Sequence, residues 1–194
     1  MSGGHGHGPD HGHATPENKR VALLIALLAL VLAFSETLGK ASQTTALDAN
    51  IEASNLWAFF QAKTIRMTTV RSFAEAAEID ARDLAAGERK SALEKQIDAW
   101  KKAAARYDSE PETQEGRKEL AARAKAAGEK RDRALAAYHH YEVASAAVQI
   151  AIVLASAAII TGIGALVWLA IGLGVVGIGF SVIGFFFPAA IHLF

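Results

Sequence analysis

The chain has 194 residues with 20 basic and 20 acidic side chains, so its formal net charge is zero. The balanced charge excludes the basic excess typical of nucleic-acid binding, and the lack of any cysteine excludes a disulfide framework. Alanine, leucine, glutamate, lysine and arginine dominate the middle of the chain, which is typical of long helices, so we predict an all-α protein.

Residues 1–17 are rich in glycine and histidine. They have almost no apolar side chains to bury, so we expect a disordered tail. His5, His7, His11 and His13 offer imidazoles, which are ligands for Zn²⁺, Ni²⁺ and Cu²⁺. A glycine-rich tail fixes ligand geometry poorly, so we expect no cofactor and keep metal binding by these histidines as the alternative.

Residues 18–39 are predicted to form the first transmembrane helix. The apolar run from Val21 to Leu38 spans about 27 Å as a helix, which is long enough to cross a hydrocarbon core. A cleavable signal peptide, with Ala33 and Ser35 as the small residues before the cut, is the competing interpretation. The helical pattern continues past Leu38 without a break, which favours an uncleaved span.

Residues 40–142 are predicted to form a charged extramembrane module, a helical hairpin or coiled coil. Two groups of apolar residues recur in it at heptad spacing. They are Leu93, Ile97, Trp100, Ala104 and Tyr107, and then Leu120, Ala124, Ala127, Ala134, Tyr138 and Tyr141, with Arg131 as an interruption. Residues 108–111 are predicted to be the turn between two antiparallel helices. The arm before this turn is the longer one, so we expect it to break at Gly87 or within the aromatic segment 55–60.

The chain has no Asp, Glu, Lys or Arg from Val143 to Phe194. A soluble domain covers its surface with such groups, so this composition indicates an integral membrane protein. Residues 143–161 and 165–187 are predicted to be the second and third transmembrane helices, followed by a short tail over 188–194. The short turn between these helices predicts a hairpin that returns to the face of the membrane where it began.

Small residues recur along one side of the third span. They are Ala170, Gly174, Gly177, Ser181 and Gly184. Such a stripe lets helix backbones approach closely in lipid. Glycine is also common in membrane helices in general, but the regular heptad phase favours helix packing, either within the hairpin or between subunits.

Four polar residues near the ends of the first two spans form the candidate site: Glu36, Gln149, His139 and His140. An acid within a span is costly unless it is neutralised, paired or near water. All four residues are expected on the same side of the bilayer, where they would form a proton or cation site. The simpler alternatives are a structural hydrogen bond between helices, or a Glu36 side chain that reaches the interface.

The segment 18–68, NKRVALLIALLALVLAFSETLGKASQTTALDANIEASNLWAFFQAKTIRMT, resembles the signature region of a bacterial membrane-protein family described as domain of unknown function 4337. The resemblance extends over most of the chain and leaves out the His-rich tail. It implies a bacterial envelope location and an uncleaved first span, and it implies no activity, cofactor or site.

The fold predicted from the sequence is an all-α membrane protein with three transmembrane helices and the helical module between the first and second. We expect a non-enzymatic scaffold in the bacterial cytoplasmic membrane that forms a homo-oligomer, or docks a protein partner through residues 40–142, and binds no nucleic acid. Lys19 and Arg20 predict a cytoplasmic N-terminus. The alternative function is a subunit of an oligomeric ion or metal transporter or channel that uses Glu36 and the His-rich tail.

Overall fold

A computed structural model describes residues 16–190 of the chain. This part of the chain contains four α-helices and no strands. α1 covers Pro16–Asp83, α2 covers Glu88–Asp108, α3 covers Arg117–Thr161 and α4 covers Gly164–Phe186. α1, α3 and α4 are each long and apolar enough to cross a membrane. The all-α prediction is therefore confirmed, as is the number of helices that qualify as spans.

The helix ends follow local sequence signals. α1 begins at Pro16, whose fixed φ suits the first position of a helix, so residues 16 and 17 are helical although we placed them in the tail. α3 ends at Thr161 and is followed by Gly162, whose φ of 70° glycine adopts without a steric penalty. α4 begins directly after this turn and ends just before Pro188, within one residue of each predicted boundary.

The described residues belong to two compact units. Of the described residues, the first unit contains 16–42 and 136–190, and the second contains Gln43–Leu135. All of α4 lies in the first unit and all of α2 in the second, whereas α1 and α3 contribute to both.

In the first unit, α1, α3 and α4 pack around one apolar core. Its buried members come from all three helices: Val21, Leu28, Val148, Ala151, Ala155 and Ala170. Small side chains dominate the α3 contribution, so the helices approach closely. The outer surface of the same unit is apolar too, since Leu23, Ile160 and Trp168 are 62%, 86% and 76% exposed.

In the second unit, α2 runs antiparallel to α1. Lys101 of α2 forms an ion pair with Glu78, and the ring of Tyr107 lies 5.7 Å from the Nζ of Lys63. Residue numbers fall along α1 as they rise along α2, so the chain reverses between the two helices. The break falls at residues 84–87 and includes Gly87, one of the two positions expected from the sequence.

α3 also runs antiparallel to α1 within this unit. Arg131 lies 3.5 Å from the side-chain oxygen of Asn50, and Arg117 lies 3.3 Å from the sulfur of Met67. α2 and α3 therefore point in the same direction along α1. The prediction that residues 108–111 form a turn between antiparallel helices is wrong, because this segment joins two helices that follow one another. The predicted break within residues 55–60 is wrong as well, since α1 continues through it.

Both apolar seams predicted from the sequence face α1. Ile97 packs with Ala74, Ala77 and Ala81, and Leu120 packs with Ala53 and Leu56. The matching seam on α1 recurs at spacings of three and four residues and is rich in alanine, which brings the helix axes close together. Its buried members are Ala46, Ala49, Ala53, Leu56, Lys63, Met67, Ala74, Ala77 and Ala81.

The opposite side of α1 in this unit is exposed and also regular. Exposed residues there recur at alternate spacings of four and three over 28 residues, about 42 Å of helix. We call them the outer stripe: Ile51, Asn55, Ala58, Ala62, Ile65, Thr69, Ser72, Ala76 and Ile79. None of the nine is charged, although α1 carries many charges around them.

Candidate functional site

The structure brings two of the four candidate polar residues together. The Nε2 of Gln149 on α3 donates to the Oε1 of Glu36 on α1 at 3.2 Å. Both side chains lie on the exposed surface of the first unit. The hydrogen bond joins two helices, as one of the predicted alternatives required.

His140 has a different set of neighbours. Its side chain is fully buried, its Nε2 lies 3.2 Å from the carbonyl oxygen of Pro188, and its ring stacks on Phe180 at 6.1 Å. Because a carbonyl oxygen only accepts, Nε2 carries the proton and donates it. The imidazole therefore ties α3 to the segment just after α4, and its buried Nδ1 has no hydrogen-bond partner.

His139 lies beside its own helical neighbours. Its Nδ1 is 3.5 Å from a carboxylate oxygen of Glu142, one turn along α3, and its ring packs near Tyr138. The contacts described here pair Glu36 with Gln149, His139 with Glu142, and His140 with Pro188. The cation site formed by all four residues stays a prediction.

No group of three or more metal-ligating side chains occurs within residues 16–190. His5, His7, His11 and His13 lie outside the described residues, so metal binding by the tail stays a prediction.

The small residues of α4 lie on the face that packs against α1 and α3. A Cβ on Gly174 would lie 2.7 Å from a methyl carbon of Leu28, and a Cβ on Gly184 would lie 2.9 Å from the Cβ of His140. Ala170 is fully buried in the core shared with α1 and α3. The stripe therefore packs against both α1 and α3 of the same chain.

Ser181, the remaining member of this stripe, forms a contact that sequence reasoning missed. Its hydroxyl lies 2.9 Å from that of Ser35 on α1, and Ser35 is only 1% exposed. Each hydroxyl also lies 3.0 Å from a carbonyl oxygen of its own helix four residues earlier. Because a hydroxyl has one proton, one serine donates to the other, and the second donates to the carbonyl of its own helix. Two serines separated by 146 positions carry no sequence signal of pairing, and the sequence pattern around Ser35 indicates only a small residue near the end of a span.

A shallow groove of about 250 Å³ lies beside this serine pair. Apolar side chains of α1 and α4 line it, including Val31, Phe34, Ile178, Val182 and Phe185. None of the residues that line it is charged, so the groove has no ionic group that would select a particular ligand.

The second unit contains a dense polar cluster at the α2–α3 connector, residues 109–116. Asp108 accepts from Lys118 at 2.9 Å and from Arg117 at 3.3 Å. Glu119 accepts from the Ser109 hydroxyl at 2.6 Å and from the backbone N–H of Glu110 at 3.2 Å. The hydrogen bond from Lys118 lowers the pKa of Asp108, and the bond from Ser109 lowers the pKa of Glu119.

Lys63 is the buried cation of this unit, with only 8% of its side chain exposed. Its Nζ lies 3.6 Å from Glu115 and over the rings of Phe59 and Tyr107 at 5.2 and 5.7 Å. The carboxylate and the two rings offset the cost of removing its charge from water. These contacts fix where the connector lies along α1, which is a structural role.

Comparison with known proteins identifies the family. No curated protein and no solved structure matches the chain. A family model described as domain of unknown function matches residues 17–187, which leaves out only the His-rich tail and the last residues. The resemblance noted from the sequence of the first span is therefore confirmed over nearly the whole chain, and the chain belongs to the family described as domain of unknown function (DUF4337).

Proposed function

We propose that this chain is an integral protein of the bacterial cytoplasmic membrane that acts without catalysis, as a scaffold that self-associates or docks a partner. The distribution of exposed apolar side chains supports this proposal. In the first unit such side chains cover the outside of all three helices, as lipid requires and water does not tolerate over so large an area.

The second unit has a different distribution of exposed apolar side chains. The large exposed ones between residues 43 and 135 all lie on α1, except Leu135. They are Leu47, Ile51, Trp57, Phe59, Ile65, Phe73 and Ile79. α2 has none of them, and Phe73 contacts Trp100 of α2. Ile51, Ile65 and Ile79 lie on the side of α1 away from α2 and α3, so this side is the surface that a docked helix would cover. Residues 40–142 then serve as the extramembrane docking module.

Native mass spectrometry of the full chain in lipid nanodiscs tests this function, with and without added Zn²⁺ or Ni²⁺. We expect particles that contain a fixed multiple of the 20.5 kDa chain, unchanged by metal. Such a result is expected because the exposed apolar face on α1 needs no ion to associate. Two results together contradict the scaffold proposal. The nanodisc particles are monomeric, and the chain extracted from its native membrane carries no bound helical partner.

The second candidate function is a subunit of an oligomeric ion or metal transporter. The exposed hydrogen bond between Glu36 and Gln149 favours it, because it places a carboxylate on the surface of a candidate span. In the same nanodisc measurement this function predicts a metal-dependent change in mass or in subunit number. The four tail histidines and Glu36 would then be the residues to substitute.

A further inference from the structure

α1 has two sides that suit helix packing. One is the buried seam, and the other is the outer stripe. The buried seam of α1 holds α2 and α3, and the outer stripe lies on the other side of the same helix. Ile51, Ile65 and Ile79 are 58%, 66% and 61% exposed and are spaced by 14 residues. Small residues separate them, so a helix could approach closely along the whole stripe. Nothing within residues 43–135 covers this side.

The sequence spacing of the stripe continues in the apolar half of α1. Leu23, Leu27, Leu30 and Phe34 follow the same heptad phase as Ile51 and are themselves 54–62% exposed. An occupant that matches the outer stripe must be a long helix with an uncharged face, on which isoleucines are separated by small or polar residues. α1 of a second copy has this pattern, in the same order along the chain.

We infer that a second copy of this chain packs its α1 against the outer stripe, with the two α1 helices parallel. This inference rests on the proposed function, because two copies in one bilayer with the same orientation are related by an axis along the membrane normal, which makes their α1 helices parallel. Identical residues then meet across the axis. Ile65 packs on Ile65, and the Asn55 side chains, which both donate and accept, form a hydrogen bond that fixes the register.

Oxidative cross-linking of single-cysteine variants in native membranes tests the inference, since the chain has no cysteine of its own. We expect Ile51→Cys, Ile65→Cys and Ile79→Cys each to form a disulfide-linked homodimer. Arg71→Cys is the matched control, because Arg71 is exposed on the same helix but lies away from the stripe. Its homodimer yield should be several-fold lower than that of Ile65→Cys.

Three results overturn the inference. One is an equal yield from the stripe and control variants. Another is an absence of homodimer at all three stripe positions. A third is a preference of Ile51→Cys for Ile79→Cys in mixed membranes, which means antiparallel packing. A charged variant, Ile65→Lys, adds an independent readout: it should shift the native mass from dimer to monomer, whereas Arg71→Lys should not, and an unshifted mass also overturns the inference.

Alkaline carbonate extraction of the same membranes separates this failure from failure of the proposed function. A chain that stays in the membrane but gives no stripe-specific cross-link contradicts only the inference. A chain that carbonate releases is not an integral membrane protein, and that result contradicts the proposed function itself.

Discussion

Gly177 and Gly179 lie two positions apart on α4 in opposite surroundings. A Cβ on Gly177 would overlap a methyl group of Val148 and lie 3.0 Å from the carbonyl oxygen of Ala144. A Cβ on Gly179 would meet nothing within 4 Å. Glycine is therefore required for packing at the first position, whereas at the second it only costs helix stability.

We predict that Gly177→Ala destabilises the first unit by about 1–3 kcal/mol, the usual cost of overpacking a close contact. Gly179→Ala is the control, and it should be neutral or stabilise the helix by up to about 1 kcal/mol. Thermal unfolding of both variants in the same detergent measures the difference. Equal melting temperatures would show that α4 does not pack on α3 as described.

At the scale of the element, the connector between α2 and α3 depends on ionised carboxylates. Glu119 receives two hydrogen bonds across the connector, and Gly116 lies so close to Glu119 and to the backbone of Ser109 and Glu110 that a Cβ there would overlap them. The segment is therefore held by charge-assisted hydrogen bonds and by close backbone contact, with few large apolar side chains involved.

Acid should loosen this connector. The pKa values of Asp108, Glu110 and Glu119 are lowered in the folded chain by hydrogen bonds from Lys118, Arg106 and Ser109. A lowered folded pKa means that the unfolded state binds protons more readily, so this stability is complete above the ordinary carboxyl pKa and is lost as pH falls through the lowered values.

Circular dichroism melts of the full chain between neutral pH and pH about 3 measure this loss, since ordinary carboxyl pKa values lie near 4. We expect the melting temperature to fall with acid in the native chain and to fall less in Glu119→Gln, which retains an acceptor but cannot titrate. Glu129→Gln, an exposed substitution on the same helix, should follow the native curve. Identical curves for all three chains would contradict the role of Glu119.

The elements also show how far sequence patterns reach. The three apolar helices follow from hydropathy because lipid imposes a length and a composition on any span. The chain reversal was assigned to residues 108–111 because proline and polar residues are strong turn signals, whereas the true reversal contains Leu84, Ala85 and Ala86, which favour helix. The buried seam of α1 was missed because alanine occurs equally in packed and exposed helix positions.

The candidate site was predictable only in part, for a related reason. Glu36 and Gln149 could be matched because helical rise places both near one boundary of the bilayer. The depth of a residue in the bilayer does not give the rotation of its helix about the helix axis. In the structure, the rotation of α3 directs His140 toward Phe180 and Pro188 instead of Glu36. The sequence of one helix therefore predicts how deep each residue lies in the bilayer. It does not predict which side chains surround that residue, because this depends on how the helices pack.

At the scale of the whole molecule, the proposed membrane function with three spans predicts that the segments before α1 and after α4 lie on opposite sides of the membrane. Lys19 and Arg20 favour a cytoplasmic N-terminus, so residues 40–142 and the C-terminus should both lie outside the cytoplasm. The turn at Gly162 should lie inside. A membrane-impermeant maleimide should therefore label Glu94→Cys in intact cells, and it should label Gly162→Cys only after lysis. Labelling in the reverse pattern would invert the topology.

The position of α4 in the chain decides when the first unit can be completed. α4 leaves the ribosome after α1 and α3, and only then do the carbonyl of Pro188 and the hydroxyl of Ser181 become available to His140 and Ser35. The turn before it is too short to let α4 enter lipid independently of α3. Completion of the first unit therefore waits for the synthesis of α4, and a copy truncated before Ser181 lacks both contacts that tie α4 and the segment after it to α1 and α3.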